Sequence, residues 1–208
     1  MKLVKAAALV ALLLCARTTY AAEQMKVGFL IDFVNGVSIP ISDSKYKDFA
    51  DASFKMGVRA GLVLYVSRHL GVAPEAEFDF IPVNSNDATY QKNGADARFY
   101  RLRGLIGGRL ILPFSVGSFY VRAMIGIDHI RGNISASAFG VTVSQDYSTT
   151  GFTFEPGVGV QFNVAKHFVV GFTTGFPIAL HDFGTNRPVP SSFTAVDVDF
   201  LGVLGVRL

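Results

Sequence analysis

The sequence predicts an all-β fold: eight antiparallel strands closing up-and-down into a transmembrane β-barrel, preceded by a cleavable signal peptide. Three observations predict it. Half of the 208 residues are hydrophobic and 17% are charged, against about 25% charged in an ordinary soluble domain. Beyond the N-terminus no apolar run approaches the ~20 residues of a spanning helix; apolar residues recur instead with period two, the signature of strands. The segments so defined are even in number, and their connections are short at one end and long at the other, as in a membrane-spanning barrel.

The N-terminus is an address. Lys2 and Lys5 precede an apolar run from Ala6 to Ala16, and Thr19 and Ala21 supply the small-x-small site of a secretory signal peptide cleaved after Ala21. The division is therefore 1–21 signal peptide and 22–208 barrel domain. Cys15 reads as one more hydrophobe of the run, because Leu14 stands where a lipidated cysteine needs a small residue. Cleavage removes Lys2, Lys5 and Arg17 and no acid, so the 19 basic residues fall to 16, matching the 16 acidic ones. The mature chain is formally neutral and free of cysteine. That excludes a disulfide scaffold and removes the compositional support for nucleic-acid binding.

The first strand lies near 25–38. The second, 53–66, sets Phe54, Met56, Val58, Leu62 and Leu64 against Lys55, Arg59 and Tyr65. The third, 70–83, sets Phe78 and Phe80 against Glu75, Glu77 and Asp79; the fourth, 98–112, sets Tyr100, Leu102, Ile106, Leu110 and Leu112 against Arg101, Arg103 and Arg109. The fifth, 118–131, carries Arg122 and Asp128. The sixth, 148–162, sets Phe152, Phe154, Val158, Val160 and Phe162 against Thr153, Glu155 and Gln161. The seventh spans 167–178, and the eighth, 195–208, sets Val196, Val198, Phe200, Leu204, Val206 and Leu208 against Asp197, Asp199 and Arg207. Tight turns fall at 67–69, 113–117 and 163–166. Long connections rich in Ser, Asn, Asp, Gly and Pro fall at 39–52, 84–97, 132–147 and 179–194. Pro74, Pro156 and Pro177 lie in or beside strands, where a missing N–H breaks the ladder, and are expected to mark bulges.

One face of these strands is almost free of charge and bulky; the other mixes isolated charges with glycines such as Gly57, Gly107 and Gly157. A lumen of eight strands holds only side chains or one small ligand, so the bulky face is assigned to lipid. Arg59, Glu75, Glu77, Asp79, Arg101, Arg103, Arg122, Asp128 and Glu155 then face inward. Hairpin register puts Arg59 opposite Glu77, Asp79 near Arg101 or Arg103, and Arg103 near Asp128. An unpaired buried ion costs several kcal/mol, so these groups read as a salt-bridged plug; a narrow ion-conducting eyelet is the competing reading.

The turn-and-strand segment from Ser67 to Phe78 and the alternating C-terminal strand resemble the small eight-stranded outer-membrane barrels of the OmpA transmembrane-domain and OmpX type. The resemblance covers Glu23 to Leu208. It implies a bacterial outer-membrane location, surrounding lipids and lipopolysaccharide, a monomer, and a C-terminal signal read by the barrel-assembly machinery, here Phe200, Leu204, Val206 and Leu208. Such proteins usually end in Phe, and this chain ends in Leu. Aromatic girdles are expected from Phe54, Phe80, Tyr100 and Phe152 at one end and Phe119, Phe162 and Phe168 at the other, without tryptophan.

Chemistry is sparse. Barrel deacylases resemble serine hydrolases with a His-x-Ser pair on a strand, and none of His69, His129, His167 and His181 has a serine two residues on. His129 falls on the lipid face near the outer rim. His181 and Asp182 with Ser191 and Ser192 bring base and nucleophile types together, in what reads as a solvated loop. No His pair has metal-ligand spacing, and Asp43, Asp48 and Asp51 alternate with lysines. No cofactor and no nucleic-acid partner are expected. The segment around Ile134, Phe139, Val141 and Val143 alternates about Phe139-Gly140, so the fifth and sixth strands extend outward as a hairpin, a candidate surface for an extracellular partner.

Overall fold

The computed structural model describes residues 26–42, 46, 50–83, 95–138, 141–182 and 192–208. Nine strand segments follow one another: β1 (Lys26–Pro40), β2 (Ser53–Ser67), β3 (Leu70–Val83), β4 (Ala95–Phe114), β5 (Gly117–Ala138), β6 (Val141–Asn163), β7 (Phe168–Gly175), β8 (Ile178–Asp182) and β9 (Ser192–Arg207). Pairing is antiparallel throughout, and β1 pairs with β9, which closes the sheet into a ring. β7 and β8 both lie between β6 and β9. They are the two halves of one traverse, so the ring has eight walls.

The period-two pattern becomes an inside and an outside. Phe29, Phe78, Phe119, Phe152, Phe172 and Phe200 are exposed on the outer wall, while Arg59, Asp79, Arg101, Arg103 and Asp128 are buried within. A soluble barrel inverts this arrangement. A membrane barrel requires it, because Arg or Lys on the lipid face costs about 2–4 kcal/mol at the bilayer midplane. Closure also leaves no open edge around the ring.

The turns β2–β3, β4–β5 and β6–β7 lie at one end, together with both ends of the described chain. There Leu208 exchanges two backbone hydrogen bonds with Phe29, at 2.8 and 3.0 Å. Short turns mark the periplasmic end, so the other three connections and the β5–β6 hairpin are external. Phe114 packs against Phe119 (5.0 Å) and Phe162 (6.0 Å) near the periplasmic rim, and Phe80 against Tyr100 (6.2 Å) toward the external one.

Three expectations need correction. The 132–147 segment is not a long connection but the outward extension of strands five and six that its alternation predicts: β5 and β6 stay paired from Gly117 opposite Phe162 to Ala138 opposite Val141. The connection predicted at 179–194 is shorter, since β8 runs to Asp182 and β9 starts at Ser192. The prolines are not bulges. Pro74 keeps register with Gly108 and Pro156 with Ala123, each losing a bond rather than inserting a residue. Pro177 interrupts its strand without shifting the pairing with β9. The register shift lies at Tyr65/Ser67 instead.

Candidate functional site

The interior is a stack of ion pairs, built because every second residue of each strand points inward. At the periplasmic level Asp32 of β1 lies 3.1 Å from Arg109 Nη2 and 2.7 Å from Arg207 Nη1, and Gln161 donates to it at 3.2 Å. Arg109 Nε donates to Glu75 at 2.6 Å. Its guanidinium also lies 4.6 Å above the Tyr120 ring.

One level up, Arg59 donates both Nε and Nη2 to Glu77, at 2.8 and 3.2 Å. Arg122 Nη2 bridges Glu77 and Glu155, 2.7 Å from the latter. Above these, Lys55 Nζ sits 2.7 Å from Asp79 and 2.8 Å from Asp199. Arg103 is the hub of this level, with Glu155 at 3.1 Å, Asp199 at 3.4 Å, Asp128 at 3.5 Å, Asp197 at 3.7 Å and Asp79 at 4.0 Å.

At the external level Arg101 forks onto Asp128 and reaches Asp197 at 2.7 Å. Tyr46, from the β1–β2 connection, completes this level. It donates to Asp197 at 2.9 Å and accepts from Arg101. Burial pushes its hydroxyl well above the ordinary tyrosine range, which keeps it a donor. Among the described residues, eight buried carboxylates face six buried Lys and Arg side chains, with Arg207 at the rim. Opposite charges therefore nearly cancel, the condition under which buried ions are tolerable.

Both ends are closed by apolar packing. Leu30, Val63, Ala73, Ile111 and Tyr120 fill the periplasmic mouth. Val83, Phe99, Ile130, Tyr147 and Phe193 fill the external one with Tyr46, which stacks on Phe193 at 5.6 Å. The recess lined by Ser38, Tyr46, Ser53, Arg101 and Asp197 has about 10 Å³ of free volume, on the order of a single water. The arrangement can hold charge; Arg59, Arg103 and Asp79 are each 0% exposed.

The structure brings together all nine interior residues named from the sequence. Arg59 lies opposite Glu77, and Arg103 opposite both Asp79 and Asp128. Sequence reasoning left Lys55, Asp197, Asp199, Asp32, Arg109 and Tyr46 out of the network. Parity placed Lys55, Arg109, Asp197 and Asp199 on the polar face; Lys55 and Arg109 each meet one acid across a hairpin, Asp79 and Glu75, as diagonal neighbours, while Asp199, Asp32 and Asp197 reach their cations from strands beyond the reach of hairpin register.

His181 is not in a solvated loop. It is buried at the end of β8, 5.2 Å from the Phe193 ring and 3.8 Å from Asp128. Asp182 points out, Ser192 is exposed, and Ser191 lies outside the described residues. His129 faces outward beside Thr150, 2.8 Å from its hydroxyl. Asp43 and Asp48 lie outside the described residues, and Asp51 is exposed. Among the described residues no His, Cys, Asp and Glu cluster could hold a metal. Of the hairpin positions, Ile134 is half-buried against the external apolar cluster, which corrects its assignment to a free surface. Phe139 lies outside the described residues, and the backbone of Val141 and Val143 pairs with Ala138 and Ala136.

The family described as outer membrane protein beta-barrel domain matches residues 6–195. No curated protein matches the chain significantly. Among solved structures, a major outer membrane protein of Thermus thermophilus is similar at a TM-score of 0.57 and 8% identity, over 88% of this chain and 100% of that one. The attachment invasion locus protein of Yersinia pestis is similar at a TM-score of 0.45 and 13% identity, over 89% and 100%. OprG of Pseudomonas aeruginosa is similar at 0.37 and 13%, over 89% and 97%.

Proposed function

The chain belongs to the outer membrane protein β-barrel family and resides in the bacterial outer membrane, and from that premise we propose that it is a closed barrel whose specific work is done at its external end. The carrying observation is the filled lumen: paired charges at every level between two apolar seals. An ion entering it would have to displace Arg103 from its carboxylates and part the Tyr46–Phe193 stack. The reading is therefore structural or adhesive rather than porin-like, and non-enzymatic, since buried His181 faces a carboxylate and not a nucleophile. Recordings in planar bilayers should show no steady conductance. Ion-selective steps that shift on Arg103→Gln would overturn the closed reading in favour of a narrow pore.

The external surface is the β5–β6 hairpin. Among the described residues, β4 accompanies β5 as far as Ala136, whereas β8 is paired with β6 only up to Leu180 opposite Phe152. Among the described residues no strand pairs with 141–148 on the side away from β5, and there a partner's strand can add by backbone hydrogen bonds. Removing residues 137–142 should leave the barrel folded and abolish adhesion to cells or matrix; unchanged adhesion would overturn the role. Residues 1–21 as a cleaved signal peptide, and exposed Phe200, Leu204 and Leu208 with half-buried Val206 as the signal read by the barrel-assembly machinery, complete the proposal, with a monomer set in lipid and lipopolysaccharide.

A further inference from the structure

On the outer face of β1 one side chain breaks the apolar pattern. Phe29, Ile31 and Phe33 precede Asn35 on that face and Val37 and Ile39 follow it, all exposed. Asn35 is exposed as well. Its register partners are Met56 of β2 and Gly202 of β9, and exposed Phe54, Val58, Phe200 and Leu204 stand beyond these along the two neighbouring strands. At about 3.3 Å per residue and a tilt of about 40°, Asn35 lies roughly 15 Å from the level of Phe29, near the middle of a ~25 Å apolar band. Among the described residues none hydrogen-bonds its carboxamide, whereas outward Asn133 donates to Asp146 at 2.9 Å.

Depth on the wall limits what this side chain can meet. A carboxamide left unbonded in hydrocarbon is costly, and acyl chains offer neither donor nor acceptor. Headgroups lie half a band away. What reaches it is a polar group on another membrane-spanning wall at the same depth. A second copy supplies that group, because both copies cross the membrane with the same end periplasmic and their Asn35 side chains share one height. A carboxamide both donates and accepts. About a twofold axis along the membrane normal, two of them pair reciprocally, each amide N–H donating to the other's Oδ1. The position beside Asn35 lets the two walls close. A Cβ at Gly202 would find its nearest atoms, the Asn35 carbonyl oxygen and Oδ1, at 3.7 and 3.8 Å. The missing side chain thus leaves a dent bordering the carboxamide, as small residues do where spanning helices approach one another.

We propose that the outer face of β1 and β9, centred on Asn35 and Gly202, is an interface for a second copy of this chain, in which the two Asn35 carboxamides hydrogen-bond to each other inside the bilayer. Each barrel is complete on its own, so the monomer set in lipid is one side of a monomer–dimer equilibrium. The interface rests on the membrane location of the barrel, and is independent of whether the lumen conducts or the hairpin adheres. Neither residue belongs to the interior network, so their replacement spares the fold.

The test uses the full mature barrel in phosphatidylcholine vesicles, with folding checked by heat-modifiable migration. Residues 22–208 contain no cysteine, so Ser115→Cys in the exposed β4–β5 turn carries a donor dye in one batch and an acceptor in another. Energy transfer should appear when both are reconstituted together and fall as lipid is added. Asn35→Leu should weaken the association about tenfold or more, the loss expected for a polar pair inside the membrane. It should fold at least as well as the wild type, since it replaces an unbonded amide by an apolar side chain, and this separates lost association from lost folding. Asn35→Gln, which keeps the carboxamide, should associate more tightly than Asn35→Leu, and Gly202→Leu, which fills the dent, should associate weakly. Wild type that stays monomeric at the highest protein density would overturn the second copy as the occupant of this face. Equal association by Asn35→Leu and the wild type, or by Asn35→Leu and Asn35→Gln, would overturn the carboxamide pair.

Discussion

Gly57 of β2 faces the lumen and Gly104 of β4 faces outward, and the contrast shows what each face demands. A Cβ at Gly57 would run into the Asp79 carboxylate and come within 2.9 Å of the Phe78 carbonyl. Glycine is needed there because Asp79 must stay against Lys55. Gly57→Ala should therefore destabilise the barrel by about 1–3 kcal/mol, the usual cost of overpacking. Gly104→Ala, facing lipid, should stay within about 0.5 kcal/mol of the wild type. Equilibrium urea unfolding in lipid vesicles measures both; equal effects would mean that lumen packing is not what makes Gly57 necessary. Parity alone assigned Gly57 to the crowded interior, but not the oxygen atoms that crowd it.

At the scale of the element, strand type was legible and strand ends were not. Alternation reports which residues can lie in a half-buried strand, while the end of a strand depends on what pairs with it. β5 and β6 continue to Ala138 and Val141 because each supplies the other's hydrogen bonds, so polar residues such as Ser135, Ser137 and Ser144 are carried within strands. The prolines show the converse. Phe176 donates to the Pro156 carbonyl at 2.9 Å and Asp197 to the Pro177 carbonyl at 3.1 Å, while neither proline can return a bond. Both breaks fall along the same traverse, and its outer half, β8, is the five residues Ile178–Asp182. The hairpin deletion of residues 137–142 belongs to this scale as well. It cuts outside the closed ring, leaves half-buried Ile134 in place, and should preserve heat-modifiable migration.

At the scale of the molecule, the interior ties together strands that are remote in the chain. Arg103 of β4 reaches acids on β3, β5, β6 and β9, and Lys55 of β2 reaches Asp199 of β9, 144 residues away. Such contacts exist only when the ring is shut, so they report closure itself. Arg103→Met should leave its carboxylates undercompensated and lower the stability of the whole barrel by about 3–5 kcal/mol. The unfolding midpoint of the full-length barrel in urea measures it, and a loss below about 1 kcal/mol would mean that the network is dispensable to closure.

The sequence by itself determined the alternation, the inward set and the pairs across adjacent hairpins, because each follows from the two-residue repeat of a strand and the length of a turn. It also determined the even strand count and the unequal connections. Only the tertiary structure decided the partners across the lumen, the bonding of Tyr46 to both Arg101 and Asp197, and the burial of His181. Those contacts depend on strand tilt and stagger in the closed ring, and on connections folding back into its mouth. Neither leaves a periodic trace in the chain.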